Sequence, residues 1–153
     1  MGPEENKAIV RRIVDEAWNE QDLDVIDELY SDGYVGHWYL PGGEDSDRED
    51  LKGFMQEVFD GFANYEMNLE FLVAEDDLVT AGFTSEGDHE GEFMGIPPSE
   101  TAEPGNPTPG HATYRIEDGQ VVEAWSTWDA LGLMQELGAL PEDLSSVALS
   151  ADD

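Results

Sequence analysis

The sequence predicts an α+β fold, with N-terminal helices packed on one face of a curved antiparallel sheet. Two observations carry this. Apolar residues recur every three or four positions up to Phe62, and every second position from Tyr65 onward. Turn signals at Asp76-Asp77 and Asp118-Gly119 divide the second half into hairpins. Helices first and a meander second place the two element types in separate layers. The 153 residues suit one domain, expected over 1–140, with an acidic and flexible tail over 141–153.

The elements follow in order. Ile9, Val10, Ile13, Val14, Ala17 and Trp18 give residues 4–20 the apolar stripe of an amphipathic helix. Asp22 can cap a short helix carrying Val25, Ile26 and Leu29. Tyr34–Tyr39 is aromatic and β-branched, and reads as a strand. Pro41-Gly42-Gly43 interrupts the chain. Ser46-Asp47-Arg48-Glu49 has the form of a capping box, serine at the cap and glutamate three later. Its helix presents Leu51, Phe54, Met55, Val58, Phe59 and Phe62. Tyr65–Glu75 alternates with Tyr65, Met67, Leu69, Phe71 and Val73 on one face, and Leu78–Glu86 returns toward Phe93. Residues 97–110 hold five prolines and two glycines, which predicts a loop outside the sheet interior. Ala112–Glu117 and Gln120–Trp128 form a hairpin about Asp118-Gly119, and a final helix over 130–137 stops at Gly138.

Thirty-seven acids face six bases, for a net charge of −31. High charge with few apolar groups gives disorder, but 39% of this chain is hydrophobic and the apolar positions are periodic. A folded domain so charged repels itself at low salt, and molar salt screens that repulsion. The expectation is a protein of a salt-accumulating cytoplasm, haloarchaeal in source. No basic patch exists to neutralise phosphates, so neither nucleic acid nor an anionic membrane is expected as partner. No run of apolar residues is long enough to span a bilayer. Without cysteine there is no disulfide and no thiolate.

The blocks Gly91-Glu92-Phe93-Met94-Gly95-Ile96-Pro97-Pro98, Tyr114-Arg115-Ile116-Glu117-Asp118-Gly119 and Trp125-Ser126-Thr127-Trp128-Asp129 resemble the SnoaL-like polyketide cyclase family, of the nuclear transport factor 2-like superfamily. Weaker blocks agree in order: Asn6-Lys7, Trp18-Asn19-Glu20, Leu29-Tyr30, Tyr34-Val35-x-His37 and Gln135-x-Leu137-Gly138. The resemblance covers about residues 5–140. It implies the α+β cone that these cyclases share with ketosteroid isomerase and limonene epoxide hydrolase. It also implies an apolar pocket under the helices, a homodimer formed through the open sheet face, and no cofactor or metal. In the cyclases an aspartate in the last strand and a histidine in the preceding strand perform an aldol closure. Those two positions carry Ser126 and Ala112 here. Serine does not titrate near neutrality and cannot replace the acid. His111 is offset by one residue, which points it to the other face.

The candidate catalytic residues are therefore His37, His89 and Asp129. His37 lies among aromatic residues, which would depress its pKa and leave it a neutral base; the alternative is a histidine bonded to backbone. His89 stands beside three acids in Asp88-His89-Glu90 and Glu92, and is either a pocket histidine or a strand-edge residue. Asp129 precedes an apolar-periodic segment, so it serves as a helix cap or as a pocket acid. Trp38, Phe93, Met94, Ser126 and Trp128 are the candidate substrate-binding residues, since Ser126 and Trp128 share strand parity and Phe93-Met94 can lid the cavity. Three scattered histidines without an i, i+4 pair do not make a metal site. Two functions follow. One is cofactor-free general acid/base chemistry (cyclisation, isomerisation or hydration) on a hydrophobic, carbonyl-bearing small molecule. The other is a non-catalytic ligand-binding or dimerisation module on the same cone.

Overall fold

The computed structural model describes residues 2–37, 43–98 and 107–145. Helix α1 (Pro3–Arg12) opens with proline in its first turn, where its missing N–H is not needed, and carries Glu4 and Glu5 at its positive end. It runs into a π-helical segment, Ile13–Asn19, that keeps Ile13, Val14, Ala17 and Trp18 buried. Asn19 ends this segment and clamps an edge strand. Its Nδ2 donates to the Met67 carbonyl at 2.9 Å, and its Oδ1 accepts from the Met67 N–H at 2.7 Å. Helix α2 (Asp24–Leu29) leads directly into strand β1 (Tyr30–His37).

Helix α3 (Arg48–Gly61) starts one residue later than the sequence pattern suggested. Asp47 is the cap, accepting from the Asp50 N–H at 2.8 Å while Asp50 accepts from the Asp47 N–H. The reason is that Ser46 pairs its backbone with Gly36 in an antiparallel bridge, N–H to carbonyl in both directions. Strands β2 (Phe62–Glu75), β3 (Leu78–His89), β4 (Thr108–Glu117) and β5 (Gln120–Trp128) complete the sheet, followed by helix α4 (Ala130–Glu136). The sheet order is β1-β5-β4-β3-β2. All neighbours are antiparallel except β1 and β5, which run parallel. The first half of the chain thus returns to the sheet edge beside the last strand.

Three local expectations change. A bulge between Leu69 and Phe71 reverses the alternation of β2, so Leu72 turns inward while Phe71 and Val73 turn out, 46% and 62% exposed. Strand β4 begins at Thr108 and includes Pro109, which sits near the strand's end and contributes its carbonyl to the Asp129 N–H at 3.0 Å. Strand β3 stops at His89, and Phe93 instead closes a separate turn with Ile96, with Met94 and Gly95 at φ of 51° and 79°. Asp118 and Gly119, at 51° and 78°, have the positive φ values of the expected hairpin turn. The flexible tail expected over 141–153 lies largely outside the described residues.

The helices cover one face of the sheet and leave the other open. Cross-strand rows on the covered face read Gly36–Ala124–Tyr114–Val79–Ala74, then Ser126–Ala112–Ala81–Leu72, then Trp128–Gly110–Phe83–Leu69. Ser126, Ala112 and Ala81 of the middle row are small and lie between two rows that hold rings. That difference in side-chain height makes a trough across β5, β4 and β3, roofed by the helices, and Ser126, Ala112 and Ala81 in it are buried.

Candidate functional site

Ser126 and Trp128 fall on the covered face, two residues apart on β5, as strand alternation requires. From Trp128 a chain of rings crosses beneath α3. Trp128 and Phe54 have centroids 6.3 Å apart, Phe54 and Phe93 6.3 Å, Phe93 and Phe62 5.1 Å, and Phe62 and His89 5.3 Å. This belt joins three residues singled out from the sequence, Trp128, Phe93 and His89. It adds two that sequence reasoning had placed only in the helix core, Phe54 and Phe62. Their signal was present as a run of phenylalanines on the α3 stripe, but the stripe alone does not say what the rings meet. Phe93 is buried, and Met94 beside it is half-buried with its N–H donated to Glu57. Trp38 lies outside the described residues.

His89 ends this belt. It pairs with Phe62 across β2 and β3, and both its ring nitrogens are buried with no hydrogen-bond partner. Buried polar atoms are nearly always bonded, and an exception calls for an explanation such as a ligand or a catalytic role. Asp129 is exposed and its Oδ1 accepts from the Gly132 N–H at 2.9 Å, capping α4.

His37 is elsewhere. It shares a face of β1 with Val35, opposite Tyr34 and Gly36, and pairs in register with Trp125 on the open side of the sheet. Its Nε2 bonds Glu123 at 2.8 Å and its Nδ1 bonds Asp45 at 2.9 Å, and its ring stacks on Trp125 at 5.4 Å. Both partners are carboxylates and can only accept, so both nitrogens donate and the ring is an imidazolium. Glu123 first, and then Asp45, hold the His37 pKa above its ordinary value. The expectation of a neutral base is corrected here: carboxylates reach the ring and outweigh its aromatic neighbours. Glu123 also accepts from Arg115 Nε at 3.3 Å, and Arg115 donates to Asp77 at 2.9 Å with its guanidinium 5.7 Å from the Trp125 ring. The group is an ion network on the open face, on the opposite side of the sheet from Ser126. His111 is on this face too, against Phe71.

Tyr34 and Tyr114 reach into the covered face from β1 and β4. Burial pushes the Tyr114 phenol up to about 12, and burial followed by the neighbouring Tyr114 raises Tyr34. Both are neutral donors at any physiological pH. A separate open groove of about 550 Å³ lies at the other end of the sheet, lined by Pro3, Asn6, Asp76, Asp77, Ile116, Glu117 and Asp118. It is polar and acidic and does not adjoin the belt. Among the described residues no group of three or more histidines and acids is placed to hold a metal. No described helix is long and apolar enough to cross a membrane.

The same arrangement of helices and sheet recurs in solved structures. A proposed SnoaL-like polyketide cyclase from Jannaschia sp. CCS1 is 28% identical with a TM-score of 0.77, over 91% of this chain and 95% of its own. AclR, a proposed hydroxylase from Streptomyces galilaeus, is 27% identical with a TM-score of 0.79, over 99% and 95%. IdmH, a proposed polyketide cyclase from Streptomyces antibioticus, is 28% identical with a TM-score of 0.72, over 87% and 98%. No curated protein matches the sequence. The model of the SnoaL-like polyketide cyclases matches residues 8–137, nearly the whole of the described fold, and the chain belongs to that family.

Proposed function

We propose that the covered face binds an apolar, carbonyl-bearing small molecule along the aromatic belt and that His89 moves its proton. The observation that carries this reading is the pair of buried His89 ring nitrogens, neither of them bonded. Trp128, Phe54, Phe93 and Phe62 supply flat apolar surface for a ring system, with Met94 at the edge and Ser126 as a hydroxyl on the trough floor. An unbonded imidazole nitrogen takes a proton from the carbon beside the ligand carbonyl. The C–H electron pair becomes the enolate, and the imidazolium then returns a proton to the same or another atom. This is the proton movement common to aldol cyclisation and double-bond isomerisation, whereas in a hydration the same imidazole would take its proton from the attacking water.

His37 is committed to Glu123 and Asp45, and Asp129 to its cap, so neither takes this role in the proposal. The test is deuterium exchange into 2-tetralone, an apolar enolisable ketone, followed by NMR. Wild-type protein should accelerate exchange at C1, and His89→Gln should remove about a hundredfold or more of that rate. Equal rates for the two proteins would refute the assignment. A second reading, ligand binding without chemistry, would follow from Ser126 and Ala112 at the positions that the family resemblance gives to the cyclase acid and base. Tight ketone binding with no exchange would select it. We also propose that a second copy packs on the open face, where Val35, Phe71 and Val73 are exposed. Light scattering in molar salt should then report a dimer, and Phe71→Glu a monomer.

A further inference from the structure

The geometry points to a two-hydroxyl subsite, Tyr34 Oη with Ser46 Oγ, that takes a second acceptor oxygen of the ligand at the β1 end of the covered face. This rests on the pocket reading above, and the oxygen it holds is not the one beside the carbon that His89 deprotonates, because Gly36 lies in the row of Val79 and His89 is ten residues farther along β3.

Tyr34 and Ser46 are 2% and 4% exposed, and neither hydroxyl has a hydrogen-bond partner. Two independent elements bring them together. Tyr34 comes from β1, and Ser46 is held by its backbone bridge to Gly36 just before the Asp47 cap. Both oxygens converge on Gly36. A Cβ built there would lie 2.5 Å from Tyr34 Oη and 2.7 Å from Ser46 Oγ, so only glycine lets them approach the strand this closely. The hydroxyls are near neighbours and yet do not bond each other. Each therefore keeps a donor for a third atom.

The chemistry of that third atom follows from the surroundings. Serine is neutral, and the buried Tyr34 and Tyr114 phenols are held in their neutral, donating form. Each hydroxyl can donate as well as accept, and with no carboxylate bonded to either, the pair suits a neutral acceptor oxygen such as a carbonyl better than a cation. The position also suits a ligand on the trough. Gly36 is in register with Ala124, and Ser126 is the next inward residue on β5. A ring system lying over Ser126 thus reaches the hydroxyl pair at one end and Trp128 at the other.

Calorimetry with a matched pair of probes tests this. 2-Acetylnaphthalene carries the carbonyl, and 2-isopropenylnaphthalene replaces its oxygen by a methylene of like shape. Wild-type protein should prefer the ketone. Tyr34→Phe and Ser46→Ala each delete one oxygen, and each should reduce that preference about three- to tenfold. Their melting temperatures should be equal to or above wild type, because each deletion removes an unbonded buried group. A preference unchanged in both variants would overturn the inference. So would an unchanged preference with lowered melting temperatures, which would mark the hydroxyls as holders of a structural water. If wild type binds both probes equally, the pocket stands and the subsite falls. If it binds neither, the pocket reading falls and takes the subsite with it.

Discussion

His37 and Glu123 meet across the parallel β1–β5 pair, Nε2 to Oε2 at 2.8 Å, on the side of the sheet away from Ser126. The two strands are far apart in sequence, and the parallel pairing has no hairpin to hold it. This charge pair ties the edge strand to the sheet beside the Gly36–Ala124 and His37–Trp125 register.

The pair makes stability depend on pH in a defined direction. The His37 pKa is raised in the folded chain, so its contribution is complete below the ordinary histidine value of about 6.5 and is lost as pH rises through the folded pKa. Glu123 is lowered, with His37 the largest cause, so its contribution is complete above about 4.3 and is lost as pH falls through its folded pKa. The melting temperature of His37→Gln should fall furthest below wild type near pH 5–6. The gap should narrow above the folded pKa of His37. A gap of constant size from pH 5 to 9 would contradict the assigned imidazolium.

Ser126 stands at the position that the family resemblance gives to the cyclase acid, and Ser126→Asp would place a carboxylate there. The position is 3% exposed among Ala112, Ala124 and Trp128, with no described cation beside it. A carboxylate there loses hydration and its folded pKa rises above the unfolded value of about 3.9. The penalty is absent below that value and complete above the folded pKa. Urea unfolding should show Ser126→Asp less stable than wild type by about 2–4 kcal/mol at pH 8, and nearly equal at pH 4. A pH-independent difference would mean that the side chain escapes the trough.

Strand alternation is a local rule, so the sequence suffices to put Ser126 and Trp128 on one face and His111 on the other. It fails at Phe71 because the Leu69–Phe71 bulge is decided by pairing with β3, which no window of β2 contains. The cap shifts from Ser46 to Asp47 for the same reason, since the bridge to Gly36 is a tertiary contact. The charge of His37 was out of reach because Glu123 lies 86 residues away. His89 shows the converse case. Its type and position were readable, whereas its lack of any partner exists only once Phe62 is folded against it.

Phe54 links the two halves of the aromatic belt, touching Trp128 on one side and Phe93 on the other. It is half-buried, so truncation removes less than a full core ring would. Phe54→Ala should cost about 2 kcal/mol in urea unfolding, below the 3–5 kcal/mol of a fully buried phenylalanine. Phe54→Leu should stay within about 1.5 kcal/mol of wild type. If the belt is the ligand surface, both variants should weaken 2-tetralone binding, the leucine variant included, because the flat ring is what is lost. Unchanged affinity in Phe54→Leu would move the ligand off the belt.

The net charge of −31 leads to the last prediction, and two salt effects of opposite sign must be weighed. Salt weakens the described ion pairs of Lys7, Arg12, Arg48, Lys52 and Arg115. Those side chains are partly exposed, and each such pair is worth about 1 kcal/mol or less. Salt also screens repulsion among acids that outnumber bases more than sixfold, 37 to 6. Six cations cannot offset that excess, so screening dominates. The melting temperature should climb by roughly 10 °C or more between 0.1 M and 3 M potassium chloride. Chloride is the salt to use, because sulfate strengthens apolar burial in any protein and would mimic the effect. A flat curve in chloride would mean that the acids are spaced widely enough for water alone to screen them, and the expectation of a salt-adapted protein would fall with it.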